Sequence, residues 1–243
     1  MSRSTVETGA RGFDPSWGAP RPRGFGSHGW LRIGSVAVLP TVILATLTGT
    51  LWGWPSGAAT AIVYMAALAS WVSAQDRLAL RAVAARAVAP SFEPRLRNVA
   101  SGLAEGLGGG PVELWVIPGP QVRALGCGPR GRPRVALSEG LLRSFARTEL
   151  EAALAFLLTR QRVRGPWPAR LAAALGPLSV PPQAGAQIAD DLRAVALTRY
   201  PPALASALAR IEPARGRMRH FAIAPAGPKD TPITERVEAL SDL

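Results

Sequence analysis

Few side chains in this sequence are of the types that bind a transition metal or act as a nucleophile. There are two histidines, His28 and His220, and one cysteine, Cys127. A protein zinc site takes three or four imidazole, thiolate or carboxylate ligands, and a single thiol excludes both an internal disulfide and a multi-cysteine metal site. Cys127 lies in a glycine-rich stretch with no histidine near it in sequence to activate it. We therefore expect an inert Cys127 and an exposed or interfacial His28.

Two pairs of acidic residues are the remaining candidates for chemistry. Glu149 and Glu151 lie at the start of a predicted helix, where carboxylates cap the free amides and complement the helix dipole. Asp190 and Asp191 are adjacent on a later predicted helix, where we expect a surface pair. Neither pair supplies a second imidazole or a pair of thiolates. These residues predict no catalytic site and no bound metal.

The helix that begins beside Glu149 is the element around which the chain is organised, and we predict it over residues 148–164. Thr148 and Glu151 have the spacing of a capping box. Apolar residues follow at intervals of three and four, which predicts one wide buried face. The last turn is basic, with Arg160, Arg162 and Arg164, and suits the negative pole of the helix.

A long uncharged stretch precedes this helix, because no charged residue occurs between Arg32 and Asp76. A run of that length is not an ordinary soluble core element. We interpret residues 29–75 as a hairpin of two transmembrane helices, 31–51 and 58–73, with a tight turn at 53–57. Tryptophans mark both ends, as an aromatic belt requires: Trp52 and Trp54 at the turn, Trp30 and Trp71 at the opposite end.

Arginines flank the hairpin on both sides and predict its orientation. They are Arg21, Arg23 and Arg32 before it, and Arg77, Arg81 and Arg86 after it. By the positive-inside rule both termini and the main domain are cytoplasmic, and the protein is integral to the cell membrane. Two alternatives remain: a signal peptide followed by an exported domain, and the buried helical hairpin of a soluble protein.

The segments beside the hairpin differ in composition. Residues 1–28 are polar and rich in Gly, Pro, Ser and Arg, which predicts a disordered tail, and residues 76–93 predict a basic juxtamembrane helix. The net charge is +12, yet all 28 basic residues except Lys229 are arginine in a chain rich in Ala, Gly and Pro. That skew is more typical of GC-rich coding than of a phosphate-binding patch, so nucleic acid is not the favoured partner.

Residues 94–243 predict a mostly helical α+β domain with a small sheet. A helix over 95–107 precedes a short apolar strand, 113–117, bounded by prolines. A glycine-rich loop leads to a second strand, 134–137, after which Ser138 caps a short helix. Beyond the central helix, a proline-rich connection precedes helices over 185–198, 202–211 and 233–240.

This order of elements resembles that of the membrane zinc peptidases of the HtpX and CAAX prenyl protease type. The similarity covers about residues 95–240, and no single stretch of it is specific. The stretches that carry it are VALSEGLL at 135–142, ELEAALA at 149–155, the Ala-Asp at 189–190, and TPITERVEAL at 231–240. The resemblance implies a zincin-like domain behind the membrane hairpin.

The zinc chemistry of that family needs His-Glu-x-x-His on the long helix, where two imidazoles bind zinc and the Glu acts as general base. The corresponding residues here are Phe156, Leu157 and Arg160, and the third ligand falls on Ala186. The family's substrate-side Asn-Ala-Phe corresponds to residues 123–125, Arg-Ala-Leu, and its late His to Thr231. Zinc, the cofactor expected for the family, therefore has no ligands, and the domain is a degenerate member without a catalytic residue.

Two hypotheses follow about the cleft that would remain. Phe156 fills the volume of the metal and its water, and Arg160 pairs with Asp190 in place of the zinc charge. A peptide could still bind by strand addition along the predicted cleft-edge strand, Arg134, Val135, Ala136 and Leu137. We therefore expect a membrane-anchored, inactive relative that contacts lipid and binds or regulates a peptide or membrane protein. The alternatives are an active metalloendopeptidase with a rearranged site, and a basic protein that binds membrane surfaces or nucleic acid.

Overall fold

The computed structural model describes residues 27–88, 94–129, 131–176, 185–228 and 230–243. Within them the chain is mostly helical with one small sheet, which confirms the predicted α+β class at that level. The helices are α1 (Ser27–Trp52), α2 (Trp54–Ala82), α3 (Pro94–Gly106), α4 (Glu139–Ser144), α5 (Arg147–Arg164), α6 (Trp167–Leu175), α7 (Ala186–Thr198), α8 (Pro201–Arg210) and α9 (Ile233–Ser241). Residues 1–26 of the tail predicted over 1–28 lie outside the described part of the chain. The last two residues of that tail belong to α1, which begins at Ser27.

The uncharged stretch forms a hairpin of two helices, α1 and α2, joined by Gly53 alone. Gly53 has φ 91, a conformation that favours glycine. The turn is shorter than the predicted 53–57, because Pro55 lies in the first turn of α2, where a missing N–H costs nothing. A Cβ on Gly57 would lie 2.5 Å from the carbonyl oxygen of Ala45, so the two backbones approach as closely as glycine permits.

Large apolar side chains on the hairpin face outward. Ile62 and Val63 of α2 are 69% and 68% exposed, and Leu51 at the end of α1 is 61% exposed. One helix in the described part of the chain, Trp54–Ala82, is long and apolar enough to cross a membrane, and Val38–Trp52 is a shorter apolar helix. The surface of the hairpin is therefore of the composition that a bilayer solvates.

The second helix of the hairpin continues without a break into the domain. The residues of α2 that are buried there include Val72, Gln75, Asp76, Ala79 and Leu80. The helical segment predicted over 76–93 is helical over 76–82, as the continuation of α2, and then ends: α2 stops at Ala82, and a two-residue strand, β1 (Arg86–Ala87), follows. The last residues of that predicted segment, 89–93, lie outside the described part.

The sheet has four strands in the order β1-β2-β4-β3. Strands β2 (Glu113–Ile117) and β4 (Arg134–Ser138) are parallel neighbours. Both strands were predicted from the sequence, over 113–117 and 134–137. Strand β3 (Ala124–Cys127) pairs antiparallel with β4 and was predicted as a loop. Its sequence, ALGC, is short and contains glycine, which local patterns assign to loops.

Helix α5 is the centre of the domain, as its apolar periodicity predicts. Seven consecutive residues, 152–158, are 3% exposed or less. The helix packs on α7 and α8 on one side and on α3 and the sheet on the other. The Pro-rich connection contains a further helix, α6, which was predicted as irregular, and α6 packs on α2.

Candidate functional site

The start of α5 is held by Glu149 rather than by the predicted box of Thr148 and Glu151. The helix begins two residues earlier than that box requires, so Glu149 is the residue that accepts the backbone N–H of Ala146, at 2.8 Å. Glu149 also accepts from Arg210 at 2.8 Å and from the hydroxyl of Ser206. Burial alone would raise the pKa of Glu149, but these three hydrogen bonds outweigh it and hold the pKa below its usual value.

Phe156 and Leu157, two residues that the resemblance places at zinc-site positions, are both 1% exposed. The guanidinium of Arg236 lies over the Phe156 ring, 5.3 Å from its centroid. The ring is therefore part of the packed core, with Arg236 of α9 over it. The hypothesis that it fills a former metal cleft stays a prediction.

Arg160 does not pair with Asp190, so that hypothesis is wrong. Its guanidinium donates to the backbone carbonyls of Ala222 at 2.8 Å and His220 at 2.9 Å. The planar fork of arginine suits two neighbouring carbonyls, and Asp190 is already bound by Arg164 at 2.9 Å and Arg193 at 3.1 Å. Burial lowers the pKa of Arg160 to about 10, which leaves it charged at neutral pH.

Ala186, at the position of the third zinc ligand, opens α7 and contributes only its backbone. Its carbonyl accepts a hydrogen bond of 2.6 Å from Arg164. The side chains at these four positions do not fit zinc. Three of them are hydrocarbon, those of Ala186, Phe156 and Leu157, and the fourth is the guanidinium of Arg160, which already binds carbonyls. Within the described residues, no three His, Cys, Asp or Glu side chains are grouped to bind a metal ion.

A small cavity of about 30 Å³ lies at the end of α5, beside Cys127 and His220. Burial and the nearby carboxylate of Asp76 raise the pKa of Cys127 to about 12. Burial, followed by the positive charges of Arg219 and Arg160, lowers the pKa of His220 to about 4. A protonated thiol and a neutral imidazole are therefore the forms present at neutral pH, and neither is activated for nucleophilic attack.

Asp76 is the buried acid at this cavity that sequence reasoning missed. Its carboxylate is 2% exposed, accepts the backbone N–H of Gly128 at 3.0 Å and forms an ion pair with Arg170. The side chain ties α2 to the end of β3 and to α6. Its only local signal is that it is the first charge after the apolar stretch, while Arg170 is 94 residues away in sequence.

Strand β4 cannot accept a peptide in the way predicted for Arg134, Val135, Ala136 and Leu137. The strand lies inside the sheet, paired with β2 on one side and β3 on the other. The outer edge of β3 is itself occupied by the late segment of the chain, because Gly126 donates to Phe221 at 2.8 Å and Ile223 donates to Ala124 at 3.2 Å. Strand addition needs unpaired backbone groups, which this edge does not offer.

A groove of about 950 Å³ lies on another face of the domain, among α3, α4, α5 and α7. Its apolar wall includes Val99, Leu142, Phe145, Leu150 and Leu197. Three charged side chains also line it, Arg95, Arg147 and Glu151. An apolar wall with a few charges is the usual composition of a ligand or peptide site. The groove was not predicted, because its residues come from four elements that only the fold brings together.

Comparison of the chain with protein-family models gives no match, and comparison with curated protein sequences gives no significant one. The resemblance to membrane zinc peptidases therefore stays a prediction from the sequence.

Proposed function

We propose that the protein is a membrane-anchored, non-catalytic binding protein with a domain of the zinc-peptidase type. Its hairpin spans the membrane, and both termini and the main domain are cytoplasmic. The domain binds a segment of a peptide or membrane-protein partner in the groove among α3, α4, α5 and α7. The observation that carries this proposal is the apolar outer surface of the hairpin, continuous through α2 with a folded domain.

The dimensions of α2 support a membrane-spanning role. Trp54 and Trp71 are 81% and 46% exposed, and the helical rise separates them by about 25 Å. That distance is near the roughly 30 Å of hydrocarbon in a bilayer. Two exposed tryptophans at this spacing are typical of the aromatic belts at the two interfaces.

The absence of catalysis is proposed from what occupies the metal-site positions. Phe156 and Leu157 are packed in the core, and Arg160 is bound to two carbonyls. A metal in this place would require the removal of a buried ring and would face a guanidinium charge. Both changes are unfavourable, by lost packing and by charge repulsion.

The groove supports the choice of a peptide segment as the ligand. Its volume of about 950 Å³ is at the upper end of the roughly 300–1,000 Å³ of small-molecule sites. Leucine and phenylalanine side chains along it suit an apolar helix face, in the manner of helix-in-groove recognition. Arg95 and Arg147 near these apolar residues favour a segment that carries acidic residues.

Site-specific photocrosslinking in native membranes tests the binding site. A photoreactive amino acid replaces Leu150 in the groove, and a matched variant carries it at Glu235, which is exposed on α9. We expect a discrete adduct from position 150 that position 235 does not give, and that Val99→Asp removes. Identical adducts from both positions would contradict the groove as the binding site.

Metal content and hydrolysis test the non-catalytic part. The detergent-purified protein is analysed for zinc and incubated with casein. We expect neither stoichiometric zinc nor cleavage. Zinc bound one to one and lost in His220→Ala, together with casein cleavage, would instead establish a metallopeptidase with a rearranged site.

A further inference from the structure

The side of the domain nearest the hairpin combines exposed aromatic rings with exposed arginines. Trp71 of α2 is 46% exposed, and the guanidinium of Arg217 lies 5.7 Å from its ring centroid. Arg217 belongs to the 3₁₀ turn Gly216–His220, which packs on α6. Arg217 is thereby held beside Trp71, at the end of the apolar part of α2.

Helix α6 carries a second exposed tryptophan beside the same part of α2. The helix packs on α2, and its Arg170 pairs with Asp76, five residues after Trp71. Trp167 lies one turn before Arg170 and is 52% exposed.

Three exposed arginines lie on α2 and on the late segment that contains Arg217. Arg77, Arg215 and Arg217 are exposed, and none forms an ion pair within 4.0 Å in the part of the chain that the structure describes. Arg77 lies about 9 Å beyond Trp71 along α2, within reach of the headgroup layer for a long side chain. Guanidinium groups recognise phosphate by paired hydrogen bonds.

We propose that Trp71, Trp167, Arg77, Arg215 and Arg217 form an interfacial surface that binds the headgroups of anionic phospholipids. This inference rests on the proposed insertion of the hairpin and adds a lipid-binding surface to it. The two rings lie at the boundary between hydrocarbon and headgroups, and the arginines bind lipid phosphate. The domain is therefore held against the membrane by a second contact besides the hairpin.

Depth measurements on the full-length protein in nanodiscs test the position of this surface. A fluorescent label is attached at Trp167→Cys and, for comparison, at Arg147→Cys, which lies at the far end of α5, about 25 Å from the end beside Asp76. Native Cys127 is buried and has a raised pKa of about 12, so it stays unlabelled. We expect lipids with a shallow nitroxide to quench the label at 167 and not at 147. Equal quenching would overturn the proposal.

Lipid retention measured by native mass spectrometry tests the headgroup chemistry. Nanodiscs of phosphatidylcholine with phosphatidylglycerol should yield protein that retains phosphatidylglycerol preferentially. Arg77→Gln with Arg217→Gln should reduce that retention by about fivefold for each arginine, and the matched Arg143→Gln, which changes an exposed arginine of α4, should leave it unchanged. Retention that is the same in all three proteins would overturn the proposal, as would displacement of the lipid by inorganic phosphate, which would indicate a free-phosphate site.

Carbonate extraction of native membranes that contain the protein distinguishes a failure of the membrane anchor from a failure of the interfacial surface. A protein that carbonate removes is not inserted, and the proposed membrane anchoring then fails. A protein that resists carbonate but shows no quenching at position 167 retains its anchor and contradicts only the interfacial surface.

Discussion

Cys127 is buried at the end of β3, beside the carboxylate of Asp76. Because the thiolate is the reactive form and the pKa is raised to about 12, almost all of the thiol is protonated at pH 8. We expect iodoacetamide to modify folded Cys127 much more slowly than the single cysteine added in Glu235→Cys, measured by mass spectrometry. In urea the two should react alike. Equal rates in the folded protein would contradict the described environment.

His220 gives the stability of the domain a dependence on pH. Its pKa is about 4 in the folded chain and about 6.5 in an unfolded one. Between these values the unfolded chain takes up a proton that the folded chain does not, so the free energy of unfolding falls as the pH is lowered from 6.5 toward 4. Above pH 6.5 both states hold a neutral His220, and this loss of stability is absent.

Thermal unfolding in detergent between pH 7 and pH 4 measures this effect. His220→Gln should show a shallower loss of Tm than the unsubstituted protein. His28→Gln, which changes the other histidine of the chain, should keep the original slope. A slope that His220→Gln does not change would show that other groups control the acid sensitivity.

The residue types at positions 156, 157, 160 and 186 were readable from the sequence, but the partners of Arg160 were not. An arginine in a helix offers several possible acceptors, and Asp190 is a reasonable one on charge alone. The carbonyls that bind it lie 60 and 62 residues away. The positions of these carbonyls depend on how segment 220–223 crosses the edge of β3. That crossing is part of the tertiary structure, and no local sequence pattern predicts it.

Gly140 allows α4 to pack closely against the backbone of Pro120, because a Cβ at position 140 would lie 2.0 Å from the carbonyl oxygen of Pro120. Gly140→Ala must displace backbone and should cost about 1–3 kcal/mol of stability. Gly102 of α3 has no heavy atom within 4 Å of a Cβ position, so Gly102→Ala should stabilise by about 0.5–1 kcal/mol through helix propensity. Chemical denaturation in detergent measures both, and equal effects would contradict the close contact.

Asp190 and Asp191 do not form the predicted surface pair, because they are 2% and 0% exposed. The ion pair between Arg236 of α9 and Asp191 of α7 joins two helices in the core. The two guanidinium nitrogens lie 2.7 and 2.6 Å from the carboxylate, and a third bond of 2.8 Å goes to the carbonyl of Ile223. Arg236→Met leaves a buried carboxylate without its partner, which should cost about 3–5 kcal/mol.

The matched control for this change is Arg143→Gln, which removes an exposed pair with Glu139 and should cost less than about 1 kcal/mol. The double variant Arg236→Met with Asp191→Leu should regain part of the loss, because no charge remains buried. If Arg236→Met were as stable as Arg143→Gln, the buried pair would be energetically unimportant.

At the scale of elements, strong periodicity predicted well and short or interrupted patterns did not. Helices α3, α5, α7, α8 and α9 were each predicted to within about two residues at both ends. Strand β3 and helix α6 were missed, because glycine and proline in ALGC and GPWPARL are typical of loops. Both elements are stabilised by neighbours: β3 by β4, and α6 by its packing on α2.

The proposed topology of the whole molecule rests on the hairpin and on the arginines at its flanks. We expect a cysteine in Trp52→Cys, at the turn side, to react with a membrane-impermeant maleimide in intact cells. A cysteine in Glu235→Cys should react only after permeabilisation. The opposite pattern would place the domain outside the cell and would support the alternative of an exported domain.

The buried pair of Arg236 and Asp191 also orders events during synthesis. The ribosome makes Asp191 45 residues before its partner, and until α9 arrives the carboxylate must remain hydrated, because an unpaired buried charge is costly. The contact between α7 and α9 therefore closes only after residue 236 has been made. Until then we expect the core to stay open on the side of Phe156, over which Arg236 lies in the folded chain, and this is where we expect chaperones to bind a nascent chain.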